Sequence, residues 1–220
     1  MVFHVVNRAA KRAALFENEH DYRAFEEVLI AALGRVDIAL YAYCVMPNHW
    51  HLVMSPMIDG ALSRFMHWLT TTHARRWQIA KGLDGYGAVY QGRFRSIPVG
   101  NDSHFLWACR YVERNALRAS LVSRAEDWRW SSLWQRHANS GHEWLSPWPV
   151  PTPGDWLSHV NIAQTTAEIE AFRRAMNKSE PFGEEDWRIS VMNTMGRRPA
   201  RPRGRPRKCP RKMTSDPIYT

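Results

Sequence analysis

Two short stretches of the chain carry side chains that could do chemistry. The first is Pro47-Asn48-His49-Trp50-His51-Leu52-Val53. In an extended strand side chains alternate, so His49 and His51 project from one face while Trp50 and Leu52 project from the other. Trp50 can then enter a core while two imidazoles on one rigid strand ligate a divalent metal, leaving positions for a third ligand and a substrate. The plainer reading is a pair of half-exposed strand histidines. Cys44 invites a zinc reading, but a structural zinc site closes with four ligands, and no fourth Cys or His stands at finger-like spacing. Cys44 fits better in the apolar core run 41–45. His67 and His73 are six apart on a helical pattern and do not share a face, so solvated or locally bonded roles are expected.

The second stretch runs Cys109-Arg110-Tyr111-Val112-Glu113-Arg114-Asn115-Ala116-Leu117-Arg118. On a helix Phe105, Cys109, Val112 and Ala116 form the buried stripe, and Trp107, Tyr111, Asn115 and Arg118 fall on a different face. Tyr111 and Asn115 are i, i+4 neighbours, which brings a phenol and an amide oxygen to one region. A tyrosine is a poor nucleophile at its ordinary pKa of about 10, but a cation near its target favours phenolate attack on phosphorus. Taken alone, an amphipathic helix with a surface tyrosine is the simpler account.

The elements that must hold these residues read coarsely as follows. Residues 2–7 have strand character. A helix is expected over 19–34, with Phe25, Leu29, Ala32 and Leu33 on one face and Gly34 as its stop. Strands at 36–45 and 49–54 flank a Met-Pro-Asn turn, and a helix covers 62–79. After a Gly-rich loop comes a short strand at 95–99. A third helix then runs from an N-cap at Ser103 through Leu117. Strand, helix, strand, strand, helix, strand, helix is a split β-α-β order. It predicts an α+β, ferredoxin-like (RRM-like) antiparallel sheet with helices on one face and the other free for a ligand.

Composition divides the chain into zones. Of 220 residues, 30 are Lys or Arg and 21 Asp or Glu, a formal charge of +9. Nine of those basic residues lie between 196 and 212 with no acid among them, so a uniformly basic globule is excluded. Residues 1–124 hold fifteen basic and ten acidic side chains and form the expected catalytic domain. Residues 125–195 hold six basic and ten acidic ones with seven of the eleven Trp, a Trp-rich acidic extension. Such Trp density predicts an apolar cluster folded back on the first zone, with a helix over 166–176 and a packing or regulatory role. Residues 196–220 form a basic tail expected to be disordered, and its Arg203-Gly204-Arg205 between prolines resembles an AT-hook. Arginines beside a permissive glycine suit the narrow minor groove of A·T-rich duplex. Three widely spaced Cys argue against a disulfide framework. With no signal peptide and no membrane-length apolar run, a soluble cytoplasmic protein is expected.

Together the two stretches resemble something specific. Met-Pro-Asn-His-Trp-His-Leu-Val at 46–53 is similar to the histidine–hydrophobic–histidine motif of the single-tyrosine HUH transposases. Arg-Tyr-Val-Glu-Arg-Asn-Ala-Leu-Arg-Ala at 110–119 resembles their tyrosine helix. Val-Tyr-Gln-Gly-Arg-Phe at 89–94 and His-Val-Val-Asn-Arg at 4–8 fit the intervening segment and first strand. Trp-Arg-Trp-Ser-Ser at 128–132 recurs in the REP-associated tyrosine transposases. The resemblance covers about residues 1–135, and the order and spacing of the motifs make it specific. It implies that His49 and His51 bind Mg²⁺ or Mn²⁺, with Asn115 where relatives often carry a third ligand, commonly Gln. It implies that Tyr111 attacks a scissile phosphate, leaving a 5′-phosphotyrosyl link and a free 3′-OH. Relatives usually have Pro at the position of Ala116, a departure that bears on helix termination more than on chemistry.

The substrate implied is single-stranded or hairpin-forming repeat DNA. Arg75, Arg76, Arg93, Arg95, Arg110, Arg114 and Arg118 are the expected phosphate contacts, Trp107 a base-stacking platform, and the tail an added A·T-rich duplex contact. A monomer or homodimer away from the membrane is expected. The rival reading is a non-catalytic nucleic-acid-binding protein on the same fold. The presence of His49, His51 and Tyr111 together favours the enzyme.

Overall fold

The structure is a computed structural model that describes residues 1–10, 13–83, 85, 87–138 and 143–196. The AT-hook-like segment with Arg203, Gly204 and Arg205 lies outside the described residues, as does Cys209. Four strands, β1 (Val2–Arg8), β2 (Ile38–Met46), β3 (His49–Pro56) and β4 (Arg95–Val99), form one antiparallel sheet in the order β2-β3-β1-β4. Alternation sends Val5, Trp50, Leu52, Tyr43 and Val45 to one face. There they pack with Phe25 and Leu29 of α1 (Glu19–Leu33) and Phe65 and Leu69 of α2 (Ala61–Ala80). Asn18 caps α1 by accepting from the Asp21 amide.

The antiparallel α+β sheet is as expected, but helices cover both of its faces. The second face was expected to stay open; Val53, Cys44, Met46, Ile97 and Val99 instead pack with Phe105, Cys109 and Val112 of α3 (Asp102–Glu113). The reason is apolar: a face carrying this stripe of buried side chains must be covered. Asn101, rather than Ser103, caps α3, and the expected single helix is interrupted at Arg114, so Asn115 opens the short α4 (Asn115–Arg118).

Residues 125–195 add their side chains to the same two cores. Trp130 and Leu145 join the α1/α2 side, and Ala125, Leu133, Trp156, Val160, Phe172 and Met176 join the α3 side. The Trp128–Ser132 segment runs along the outer edge of β2. Trp128 Nε1 donates to the Val45 carbonyl (2.9 Å), the Val45 amide to Trp130 (2.9 Å) and the Tyr43 amide to Ser132 Oγ (3.0 Å). This occupies an edge that would otherwise be open to strand addition. A bulge between Leu40 and Ala42 turns both Tyr41 and Ala42 to the α3 side, and the Tyr41 carbonyl accepts from Trp148 Nε1 (2.9 Å) and from Arg136.

Four helices follow: α5 (Ser132–His137), α6 (Trp156–Asn161), α7 (Thr166–Lys178) and α8 (Glu185–Thr194). The expected helix near 166–176 is α7, opened by a capping box in which Thr165 and Glu168 satisfy each other. Beyond it Phe182 pairs with the end of β4, where Gly100 and Gly183 meet. A Cβ on Gly183 would lie 2.4 Å from the Trp187 ring, so any larger residue would force that ring to move. Among the described residues no helix is long and apolar enough to cross a membrane.

Candidate active site

The β2–β3 hairpin sets the first functional pair. Met46 faces His49 across a two-residue turn, Pro47-Asn48, whose carbonyls accept from the amides of Leu15 (2.7 Å), Phe16 (3.0 Å) and Ala9 (2.9 Å). Behind the strand, Trp50 Nε1 donates to the Tyr90 hydroxyl (3.2 Å), which also bonds His73 Nδ1 (2.7 Å). His73 is thus the locally bonded histidine expected, and Tyr90 of the 89–94 segment anchors the motif from its apolar side. The amides of Ala10 and Gln91 pair with the Val89 and Arg8 carbonyls (each 2.8 Å), which brings Gly92 and Arg93 to the end of β1.

In front of the sheet His49 and His51 meet edge to face, with ring centroids 5.0 Å apart. His49 Nδ1 lies 2.6 Å from Asn48 Oδ1, and His51 Nδ1 lies 2.9 Å from Nε2 of His4, which projects from the same face of β1. Each motif ring is held through Nδ1, and its Nε2 makes no hydrogen bond with any described residue. Burial, then the guanidinium groups of Arg8 and Arg118, pulls His49 down to about 4. Burial likewise pulls His51 well below the usual range, with His49, His4 and Arg118 adding to it. Both rings are therefore neutral near pH 7, the form that binds metal.

Tyr111 closes the site from α3. Its ring lies 5.9 Å from that of His51, edge to face, stacks on Trp107 (5.5 Å, 18°) and meets Phe172 of α7 (4.6 Å). The Arg118 guanidinium sits over the same ring at 4.1 Å, a cation–π contact. Arg118 Nη2 also donates to Asn115 Oδ1 (2.7 Å), while the buried Asn115 Nδ2 has no hydrogen-bond partner among the described residues. The opposite amide orientation would set two donors against each other, so the bond to Arg118 fixes Oδ1 where it is.

His49, His51, Tyr111, Asn115 and Arg118 all line one cavity of about 800 Å³. Arg8, Arg93, Arg95 and Arg173 line it as well, and among the described residues no carboxylate does. A neighbouring groove carries Arg75, with Arg93 and Arg95 shared between the two. Arg76 is exposed on α2 and lines neither.

Arg110 and Arg114, expected as phosphate contacts, are engaged elsewhere. Arg110 Nη2 donates to the Ile162 carbonyl (2.7 Å) and Arg114 Nη1 to that of Asn161 (3.0 Å), so they satisfy the C-terminal carbonyls of α6. Trp107, the expected stacking platform, is packed among Tyr111, Phe172 and Phe182. His4, Arg8, Arg173 and Met176, to which the sequence alone assigns no role, also line the cavity, and Phe172 packs beside it on the Tyr111 ring. The period-two alternation His4, Val6, Arg8 was the available signal for β1; nothing in the sequence placed α7 against it.

The donors present suit a divalent ion. Two neutral imidazoles offer Nε2, whereas Asn115 Oδ1 already accepts from a guanidinium and would have to share that oxygen. Among the described residues no three His, Cys, Asp or Glu side chains converge on a metal position, so no zinc-type cage exists. Cys44 and Cys109 are buried in the core with their thiols pushed up by burial, Cys44 to about 12.

The fold so assembled, an antiparallel sheet with a histidine-bearing hairpin and a tyrosine helix packed over it, is that of the single-tyrosine transposases. The solved structure of a REP-associated tyrosine transposase bound to a REP hairpin aligns with a TM-score of 0.52 at 20% identity, over 69% of this chain and 86% of that one. A transposase-like protein of Deinococcus radiodurans R1 aligns at 16% identity and a TM-score of 0.39, over 47% of this chain and 82% of that one. No curated protein gives a significant match. Residues 1–115, more than half of the chain, match the family described as IS200-like transposases. The chain belongs to that family, and the expectation drawn from its motifs is borne out at that level.

Proposed function

We propose that this transposase is a divalent-metal-dependent single-strand DNA endonuclease and strand transferase acting on hairpin-forming repeat DNA. The observation that carries the reading is the convergence of His49, His51 and Tyr111 on one cavity lined by arginines and free of carboxylates. An uncompensated cationic cavity favours a polyanion, and a preorganised aromatic nucleophile beside it favours chemistry on phosphorus. Asn48 and His4 orient the two imidazoles, and His49 and His51 are the residues that would hold Mg²⁺ or Mn²⁺. When bound, that ion polarises the scissile phosphate and offsets its developing charge.

Trp107 and Arg118 both pack against the Tyr111 ring and restrict its motion. The phenol oxygen forms its bond to phosphorus as the P–O3′ bond breaks, giving a 5′-phosphotyrosyl link. The proton lost by the phenol is balanced by one taken up by the leaving 3′ oxygen. Reversal on a new 3′-OH joins strands without ATP, since the phosphodiester energy is kept in the tyrosyl ester. Arg93 and Arg95, shared between the cavity and the α2 groove, hold the backbone of the strand that leads away from the site, and Arg75 continues that path. The finding that a structural neighbour was solved on a REP hairpin supports the hairpin substrate.

The test is covalent trapping. Labelled single-stranded hairpin DNA incubated with the protein and Mg²⁺ or Mn²⁺ should yield a denaturation-resistant adduct that Tyr111→Phe abolishes without loss of DNA binding. An adduct of equal yield from the Phe variant, or none from the wild type, overturns the mechanism.

A further inference from the structure

His4 takes no direct part in the chemistry above, yet it is wholly buried at the centre of the site. Its Nε2 lies 2.9 Å from His51 Nδ1 and its Nδ1 lies 3.0 Å from the sulfur of Met176, on α7. The ring stacks on His51 (5.0 Å, 27°) and meets Tyr111 and Phe172 edge to face. A thioether has no hydrogen to give, so in the Met176 contact His4 Nδ1 must be the donor. A buried imidazole with no carboxylate partner is neutral, and a neutral ring with its proton on Nδ1 carries its lone pair on Nε2. The proton between the two rings therefore belongs to His51 Nδ1. His51 is left with its lone pair on Nε2, the nitrogen that makes no hydrogen bond with any described residue.

We propose that His4 and Met176 are positioning residues that lock His51 in the Nδ1–H tautomer, so that its Nε2 is held ready as a metal donor. Asn48 does the same for His49, whose Nδ1 it bonds at 2.6 Å. The two ligands then have different supports, a side-chain amide from the turn and a two-residue relay from β1 and α7. The relay assigns the Trp-rich extension a part in the metal site, because Met176 is its last member. This inference rests on the reading of His49 and His51 as metal ligands.

Two measurements on the full chain test it. Long-range ¹H–¹⁵N spectra of the metal-free protein should show His51 Nδ1 protonated and Nε2 bare. His51 protonated on Nε2 overturns the proposal whatever the metal does. Mn²⁺ affinity, read by calorimetry or by loss of the free-ion EPR signal, should fall about 10- to 100-fold in His4→Phe, which keeps ring volume and removes the acceptor. His4→Gln, whose amide oxygen can accept from His51 Nδ1, should recover most of that loss. Met176→Leu should weaken binding by several-fold with the fold intact, and it serves if the Phe variant does not fold. Wild type that binds Mn²⁺ no more tightly than His4→Phe and Met176→Leu overturns the relay and leaves the metal reading standing. Wild type that binds no Mn²⁺ overturns the metal reading, and the relay with it.

Discussion

Glu113 lies outside the cavity, on α3, and replacing it gives a sharp test of how the chain is held together. Its carboxyl is fully buried and accepts from Ser132 Oγ (2.6 Å), Arg136 Nη1 (3.1 Å) and Trp156 Nε1 (2.7 Å). Every partner is a donor, as an ionised carboxylate requires. Burial raises the group's pKa, while Arg136 and the Ser132 and Trp156 bonds pull it back. Glu113→Ala leaves the Trp156 indole N–H without an acceptor, at about 1–3 kcal/mol. It also strands the Arg136 charge; a fully buried pair broken this way costs about 3–5 kcal/mol, less here because Arg136 keeps 27% exposure and its bond to Tyr41. The net expectation is a loss of about 3–4 kcal/mol, or roughly 6–15 °C in Tm for a chain of this size. Glu113→Gln keeps an oxygen for Arg136 but turns an NH₂ toward one of the remaining donors, and should cost about 2 kcal/mol. Urea unfolding followed by tryptophan fluorescence measures both. A stability change under about 0.5 kcal/mol for the Ala variant would refute the view that this carboxylate fastens the extension to α3.

Three further outcomes separate the roles assigned to other residues. Arg93→Ala and Arg95→Ala should each flatten the dependence of log K for single-stranded DNA on log salt by about 0.7, measured by fluorescence anisotropy. Arg110→Ala and Arg114→Ala should leave that slope unchanged and lower stability by about 1–2 kcal/mol each, and the reverse pattern would exchange the two assignments. Glu26 accepts from the Tyr43 hydroxyl (2.6 Å), and burial raises its carboxyl to about 7, against the opposing pull of that bond and Arg129. Its neutral form is favoured in the folded state, so its stabilising contribution is complete below about pH 4.5 and lost as pH rises through 7, by roughly 2–3 kcal/mol. Glu26→Gln keeps the acceptor and should remove that part of the wild-type slope in chemical denaturation; parallel profiles would refute it. A chain cut after residue 124 loses Trp130, Leu133, Trp156, Val160, Phe172 and Met176 from the two cores, at about 1.5–3 kcal/mol each. That sum, about 9–18 kcal/mol, is as large as a typical domain stability of about 5–15 kcal/mol, so the fragment should show no cooperative unfolding transition by circular dichroism.

Much of the sheet was legible because period-two and 3.6-residue patterns are local. β4 falls at 95–99 as read, α1 and α2 differ by a residue or two at their ends, and His49 and His51 share a face as alternation requires. What was not legible is what depends on pairing partners far apart in the chain. His4 and His51 are 47 residues apart and meet only because β1 lies beside β3, and Met176 is 172 residues from His4. Arginines were the least readable residues. Their charge advertises phosphate contacts, but Arg110 and Arg114 serve backbone carbonyls of α6, a role that composition and motif cannot separate from the other. The covered second face of the sheet was not legible for a related reason, because the periodicity of α3 marks an apolar stripe but not which side of the sheet that stripe packs on.

The Arg-Tyr-Val-Glu-Arg-Asn run now divides by helical face. Arg110, Glu113 and Arg114 stand at i, i+3 and i+4, and all three fasten the extension, through Arg136, Trp156 and the carbonyls of Asn161 and Ile162. Tyr111 and Asn115 stand one step around and face the cavity with Arg118. Tyr111 therefore reacts from the same last turn of α3 that carries Arg110 and Glu113 on its docking face. A rigid helix cannot move one without the other. The same docking leads the chain from α6 into α7, whose Phe172 packs on Tyr111 and whose Met176 reaches His4. The position of the tyrosine relative to the histidine strand is thus set twice, once by the apolar stripe of α3 on the sheet and once by the extension that α3 itself anchors. That double constraint explains why a motif with two residues toward the cavity carries three other polar residues that never reach it.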